Sequence, residues 1–171
     1  MKTILTPVDF SSATAAVVAQ AVSLAKAMSA RIVLFNVIQP PALIEEYGAL
    51  LENIAEITDA GEKASARHLA RLQQQLERRG VTVLTQQATG APVPHIVEKA
   101  AAVKADYIVM GSHGRTAFFD LLVGSTTHGV LRRAGCPVIV VPTAKAKAVP
   151  PATPPPSRRT PPKRSTSSPK A

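Results

Sequence analysis

Aromatic side chains are scarce in this chain of 171 residues, which holds no Trp, two Tyr and four Phe. A core must therefore come from Val, Ile, Leu and Ala, and the 46% apolar content can supply one. The length suits one domain with a sizeable interior. Cysteine is nearly absent: Cys136 stands alone, which excludes a disulfide framework within one chain. It precedes Pro137 and the apolar run Val138–Val141, the setting of a small hydrophobe rather than a reactive thiol. No apolar run approaches the roughly 18 residues of a membrane span. Met1-Lys2 leads directly into the strand-like Thr3–Val8, without the pattern of a secretory leader. A reducing cytoplasm is the expected location. Acids are missing altogether from Thr143 onward, where seven Lys and Arg occur. Residues 1–142 carry the other thirteen bases and all eleven acids, so the formal +9 divides into a body of +2 and a strongly basic tail.

That tail differs in kind from the rest. Eight of the fifteen prolines lie between Pro150 and Pro169, mixed with Ser, Thr, Lys and Arg. Proline removes backbone donors, and little apolar surface is available to bury, so residues 143–171 are expected to be disordered with polyproline-like stretches. Two roles are open to it: a plain solvated extension, or a tail that contacts polyanions weakly through charge.

What is present before the tail is an alternation of strand and helix. Strands are expected at Thr3–Val8, Arg31–Ile38, Val81–Gln87, Asp106–Met110 and Pro137–Val141. Helices are expected over about Ala13–Met28, Leu50–Arg79, Val93–Val103 and Thr126–Arg133. Arg31–Ile38 is almost continuously apolar, as in a strand covered on both faces. In the long helix Ile54, Ile57, Ala64, Leu69, Leu72 and Leu76 recur at helical steps, and Gly80 is a natural stop. Ser11 and Ser12 are N-cap candidates for the first helix. Five strands alternating with helices imply an α/β fold, an open parallel sheet with right-handed crossovers and helices on both faces. In such sheets a ligand lies beyond the carboxyl ends of the strands, where the strand order reverses.

The most informative stretch runs from Asp106 to Thr127. A short strand meets Gly111; Gly114, Gly124 and Ser125 follow in the spacing Gly-x2-Gly-x9-Gly-Ser. A strand that runs into glycines and then a helix start brings backbone N–H groups up to a phosphate. Glycine allows close approach and turns of positive φ. Ser125, Thr126 and Thr127 add hydroxyls near a helix N-terminus. Neither a Walker-type Gly-x4-Gly-Lys-Ser/Thr run nor a Gly-x-Gly-x-x-Gly fingerprint after the first strand is present.

This stretch resembles the nucleotide-binding signature of the universal stress protein family, in its ATP-binding branch. The resemblance extends over about residues 1–142. Ile4–Asp9, with its Pro7-Val8-Asp9 ending, is similar to the family's opening strand. Gly90, Pro92 and Ile96 match the start of its third helix, and Cys136–Pro142 its closing strand. The resemblance implies the Rossmann-like strand order 3-2-1-4-5, with Asp9 and Gly111 facing one crevice. It implies ATP as ligand, accompanied by Mg²⁺. Asp9, at the Pro7–Asp9 strand end, would accept from the adenine side, and main chain near Val37 would flank the base. Met110, Gly111 and Gly114 would lie along the ribose and phosphates, and Gly124, Ser125, Thr126 and Thr127 would hold the outer phosphates. Thr126 departs from the family, whose members often carry Val there. The family also implies a homodimer through Val138–Val141.

Several residues keep two readings. His113 contacts phosphate as a cation or fills the turn; Arg115 neutralises phosphate or is solvated. Asp9 is also a natural turn carboxylate. His95 and Glu98, at i, i+3, are too few for a metal site and read as a surface pair. No paired carboxylates and no Gly-x-Ser-x-Gly nucleophile turn can be found. A phosphate cradle without a base argues for a regulatory binding module over fast turnover. The competing readings are a slow ATPase or phosphate-transferring enzyme, and a dimeric scaffold with a basic interaction tail.

Overall fold

The computed structural model describes residues 1–39, 51–113 and 123–142, and for residues 51–55 the backbone alone. The expected tail, Gly114 and Arg115 lie outside the described residues.

In chain order the elements are β1 (Thr3–Pro7), α1 (Thr14–Met28), β2 (Arg31–Ile38), α2 (Leu51–Glu77), β3 (Val83–Thr89), α3 (Pro92–Ala102), β4 (Tyr107–Gly111), α4 (Ser125–Leu131) and β5 (Val138–Val141). The five strands form one sheet in the order β3-β2-β1-β4-β5. Every pairing is parallel. The order reverses between β1 and β4, as the resemblance implies.

The sheet separates two apolar layers, as the alternation of side chains along a strand requires. On one face Ile4, Ile32, Leu34, Val83 and Val109 pack with Val17, Val18, Ala21, Leu69 and Leu76 of α1 and α2. On the other, Leu5, Val33, Phe35, Ile108 and Met110 pack with Ile96, Ala100 and Val130 of α3 and α4. Ile4, Leu5, Ile32 and Leu34 are fully enclosed. This is why β2 reads as a near-continuous apolar run: it is a central strand with both faces covered. Cys136 packs at the margin of the second layer. Burial, and secondarily the Asp106 charge, push its thiol pKa above the usual value.

Three local outcomes differ from the sequence reading. The first helix has no serine side-chain cap; it starts at Thr14 after Ala13. Asp9 intervenes: its Oδ1 accepts from the Ser11 N–H at 3.0 Å and from the Ser11 hydroxyl at 2.7 Å. The Ser11 Oγ then accepts from the Ala13 N–H at 3.3 Å, so the serine serves the turn before the helix. Asp106 stands just outside β4. Its carboxylate accepts from the Thr3 N–H at 2.8 Å, while its own N–H donates to the Thr3 carbonyl at 2.8 Å. Ile57 is 53% exposed rather than buried. Gly61 packs beside Ile38 at the end of β2, so Ile57, one turn earlier, overhangs the carboxyl end of the sheet. Ile54 lies among the residues whose side chains are not described.

Two expected boundaries hold for physical reasons. Gly80 has φ +77°, a conformation that L side chains resist, and the chain leaves α2 there. Pro92 occupies the first turn of α3, where a missing N–H costs no helical bond. No described helix is long and apolar enough to cross a membrane.

Candidate functional site

Parallel strands deliver all their carboxyl ends to one side of the sheet. There, between the ends of β1, β2 and β4, the wall of α2 and the start of α4, lies a cavity of about 670 Å³. That falls within the range of small-molecule sites, about 300–1,000 Å³.

Of the candidate residues, Pro7, Asp9, Val37, Met110, Gly111, His113, Gly124, Ser125, Thr126 and Thr127 all line this cavity. They come from three separated parts of the sequence and meet because β1 lies between β2 and β4. Only Gly114 and Arg115 cannot be placed, being outside the described residues.

The glycine stretch is held to the sheet by a run of short bonds. The Ser112 N–H donates to the Val141 carbonyl at 2.8 Å, extending β4 alongside β5. The Gly124 N–H donates to the Ser112 carbonyl at 2.8 Å, which brings the two ends of the glycine-flanked segment together. The buried Thr127 hydroxyl donates to the Gly111 carbonyl at 2.7 Å. Thr127 thus spends its hydroxyl proton on the scaffold; its expected contact with a phosphate would have to come from its backbone N–H. The Ser125 side chain is exposed and that of Thr126 half-buried, at the cavity wall. The Gly124 carbonyl accepts from the His128 N–H at 2.9 Å, the first turn of α4. The preceding N–H groups of Ser125, Thr126 and Thr127 have no carbonyl four residues back within the helix.

The reason for glycine differs from one of those anticipated. Among the described glycines only Gly80 and Gly90 have positive φ; Gly111 and Gly124 do not. At Gly124 the backbone is extended, φ −66° and ψ 158°. A Cβ there would stand 3.4 Å from the Ser112 carbonyl oxygen and 3.6 Å from the His113 Cα. These are ordinary contact distances, so neither a positive φ nor packing within the protein demands glycine at this position.

Opposite this cradle is a wall that sequence reasoning missed. Phe10 adopts φ +60°, uncommon for a non-glycine residue, and its ring lies 4.9 Å from that of His68 on α2. Gly61, Ala64, Ser65 and His68 form a stripe of mostly small residues along α2 facing the cavity. Asn36, the one polar side chain inside the buried run of β2, joins the three walls. Its Nδ2 donates to the Val8 carbonyl at 2.7 Å, and its Oδ1 accepts from the Ser65 hydroxyl at 2.9 Å. An asparagine inside an otherwise apolar strand was the available signal, because a buried amide needs partners. His113 Nδ1 lies 3.2 Å from the Ser112 Oγ.

His95 pairs with Glu98 at 3.7 Å on α3, as the i, i+3 spacing suggested. Among the described residues no group of three or more His, Cys, Asp or Glu is arranged to hold a metal ion. Among the described residues, Asp9 is the carboxylate at the cavity wall.

A family model, the universal stress protein family, matches residues 1–142. The chain belongs to the universal stress protein family. Universal stress protein MJ0531 of Methanocaldococcus jannaschii is 31% identical over 141 residues, covering 82% of this chain and 81% of that protein. The solved structure of protein MJ0577 from the same organism superposes with TM-score 0.75 at 27% identity, covering 85% of this chain and 98% of that one. A universal stress protein solved in complex with cAMP shares the fold at TM-score 0.63 and 24% identity, over 84% of this chain and 98% of that one. The matched family region stops where the basic tail starts.

Proposed function

We propose that this universal stress protein binds ATP, carried with Mg²⁺, in the cavity at the carboxyl ends of β1, β2 and β4, and acts as a regulatory stress-response module. The observation that carries the reading is convergence. Pro7-Val8-Asp9 and the glycine stretch are about a hundred residues apart in sequence, yet the adjacent strands β1 and β4 bring them to the lining of one cavity of about 670 Å³. A universal stress protein of the same fold has been solved in complex with cAMP, which is in keeping with a nucleotide ligand.

In this reading Asp9 accepts from the adenine side and Val37 main chain flanks the base. Met110, Gly111 and Gly114 follow the ribose and inner phosphates. Gly124 admits the outer phosphates, which the N–H groups of Ser125, Thr126 and Thr127 and the Ser125 and Thr126 hydroxyls would bind. Arg115 and His113 add charge or close the turn. Bound Mg²⁺ would neutralise phosphate charge, with the nucleotide as its main ligand, since Asp9 already accepts from Ser11. In this reading hydrolysis is slow, because the sequence offers no paired carboxylates and no nucleophile turn to activate water. Residues 1–142 act as the nucleotide domain and 143–171 as an appendage in the cytoplasm. The half-buried edge strand β5 pairs with a second copy.

Gly124→Val tests the site. Valine tolerates the extended backbone at this position, so the fold should survive, while its branched side chain fills the cradle. Isothermal titration with Mg²⁺-ATP should show binding to wild type and loss in the variant. Equal affinity for the two proteins overturns the assignment. A turnover in the usual enzyme range, about 1–10³ s⁻¹, would instead make the protein an ATPase.

A further inference from the structure

The near-neutral charge of residues 1–142 conceals a sharp polarity. The turns that lead into the strands gather at the amino end of the sheet, opposite the nucleotide cavity. Each carries bases: Lys2 before β1, Lys26 and Arg31 around the turn into β2, Arg78 and Arg79 before β3, Lys104 before β4, and Arg132 and Arg133 before β5. Eight bases therefore share this end with two acids, Glu77 and Asp106. Since residues 1–142 net only +2, the remainder of the domain is net negative.

Seven of the eight bases are exposed; Arg31 is half-buried and donates to the Thr3 hydroxyl at 2.9 Å. Among the described residues none of the eight forms an ion pair, the pairs being Lys63–Asp59 and His95–Glu98. The two acids are engaged elsewhere. Asp106 accepts from the Thr3 N–H, and Glu77 accepts from the Gln73 side chain at 2.9 Å.

Helix dipoles account for part of this arrangement. All four helices point their C-termini at this end, and bases there are favourable. Each terminus carries about half a negative charge, so four offset only about two charges. The net excess is six, and most of it has no internal partner. Lys26 and Arg79 also line a second cavity of about 490 Å³, with Ser29, Gly80 and Thr82.

We propose that the amino end of the sheet is a docking surface for a nucleic-acid backbone, used independently of the nucleotide cavity. The bases follow the strand order β3-β2-β1-β4-β5, so they form a row rather than a spot. With strands about 4.8 Å apart the row is roughly 19 Å long, enough to follow several phosphates spaced about 3.4 Å along one strand of a duplex. Among the described residues there, Tyr107 is the sole aromatic and is half-buried, so bases are not read by stacking and the contact is independent of sequence. An anionic lipid surface fits less well, because among the described residues the exposed large apolar side chains near this end are three, Met1, Leu84 and Leu131, on separate elements rather than one amphipathic helix face.

The test uses the full chain and a fluorescein-labelled DNA duplex of about 20 base pairs, followed by anisotropy at about 50 mM salt. Arg78→Glu with Arg79→Glu, and separately Arg132→Glu with Arg133→Glu, should each weaken binding about ten-fold or more and flatten the salt dependence. Arg67→Glu with Arg71→Glu on the exposed face of α2 changes net charge equally and should cost less than about three-fold. The corresponding Arg→Gln pairs should lose affinity to an intermediate degree while circular dichroism stays that of wild type. ATP should not displace the duplex, since it would sit at the other end of the strands. Equal losses in the α2 control and the end variants would overturn the proposal in favour of diffuse charge or the basic tail. So would unchanged affinity in the Arg→Gln pairs, displacement by ATP, or binding to vesicles of anionic phospholipid without binding to the duplex.

Discussion

Asn36 is a single amide that couples β1, β2 and α2 at the cavity, and its removal should show that coupling quantitatively. Asn36→Ala deletes the donor to the Val8 carbonyl, at 2.7 Å, and the acceptor for the Ser65 hydroxyl, at 2.9 Å. Both bonds are buried. A buried group left without its partner costs about 1–3 kcal/mol. Ser65 borders the cavity and can rehydrate in part, so its share sits at the low end. The sum is about 3 kcal/mol. With a urea slope near 2 kcal/mol/M the unfolding midpoint should fall by about 1.5 M. Ser65→Ala alone breaks one bond and should cost about 1 kcal/mol. The decisive measurement is the double variant. If the Ser65 hydroxyl acts through Asn36, its loss adds almost nothing once Asn36 is gone, which gives a coupling of about 1 kcal/mol. Because Val8 precedes Asp9, Asn36→Ala should also weaken Mg²⁺-ATP binding more than Ser65→Ala does. Fully additive losses in urea would show that the two side chains are independent and that the bridge does not organise this wall.

Thr127→Val should lower the melting temperature by about 2–4 °C, the effect of losing roughly 1 kcal/mol in a domain of this size; Thr127→Ser, which keeps the bond to Gly111, should restore most of it. Val140→Asp places a charge on the edge strand β5 and should convert a dimer into monomer or precipitate in sedimentation velocity; a wild-type mass of one chain at micromolar concentration argues against pairing there. Cys136 has its pKa raised by burial and by Asp106, so iodoacetamide should label the folded protein more slowly than the unfolded one near pH 9. The same shift means that the unfolded thiol ionises first, so the stability this group contributes is full below 9.0, the ordinary value, and is lost as pH rises from there through the raised folded value.

The sequence was legible where one constraint dominated. β1 and β2 are enclosed on both faces, and burial wrote itself into the composition of β2; the spans of both were readable to within a residue or so. The glycine spacing marked the cradle through its match to the family signature; the described backbone does not itself demand glycine at Gly124, where a Cβ would make ordinary contacts. Strand order was not readable from periodicity, since a parallel strand looks alike in any position; it came from the family resemblance. Ser11 was misassigned as a helix cap because Asp9, two residues earlier, competes for it, and side-chain competition of that kind depends on three-dimensional placement. The Phe10–His68 wall pairs residues far apart in the chain and neither lies in a motif. The charged end of the sheet escaped notice because a net charge is a sum, and the fold decides where its parts are displayed.

The Asp106–Thr3 clamp joins residues 103 positions apart. On a ribosome the first strand emerges early and must keep one side open until β4 has been made. At about 5–20 residues per second that delay is about 5–20 s. The crevice between β1 and β4 is thus assembled late, after most of the chain has left the tunnel. A nucleotide that needs this crevice can bind only a domain whose synthesis is nearly finished.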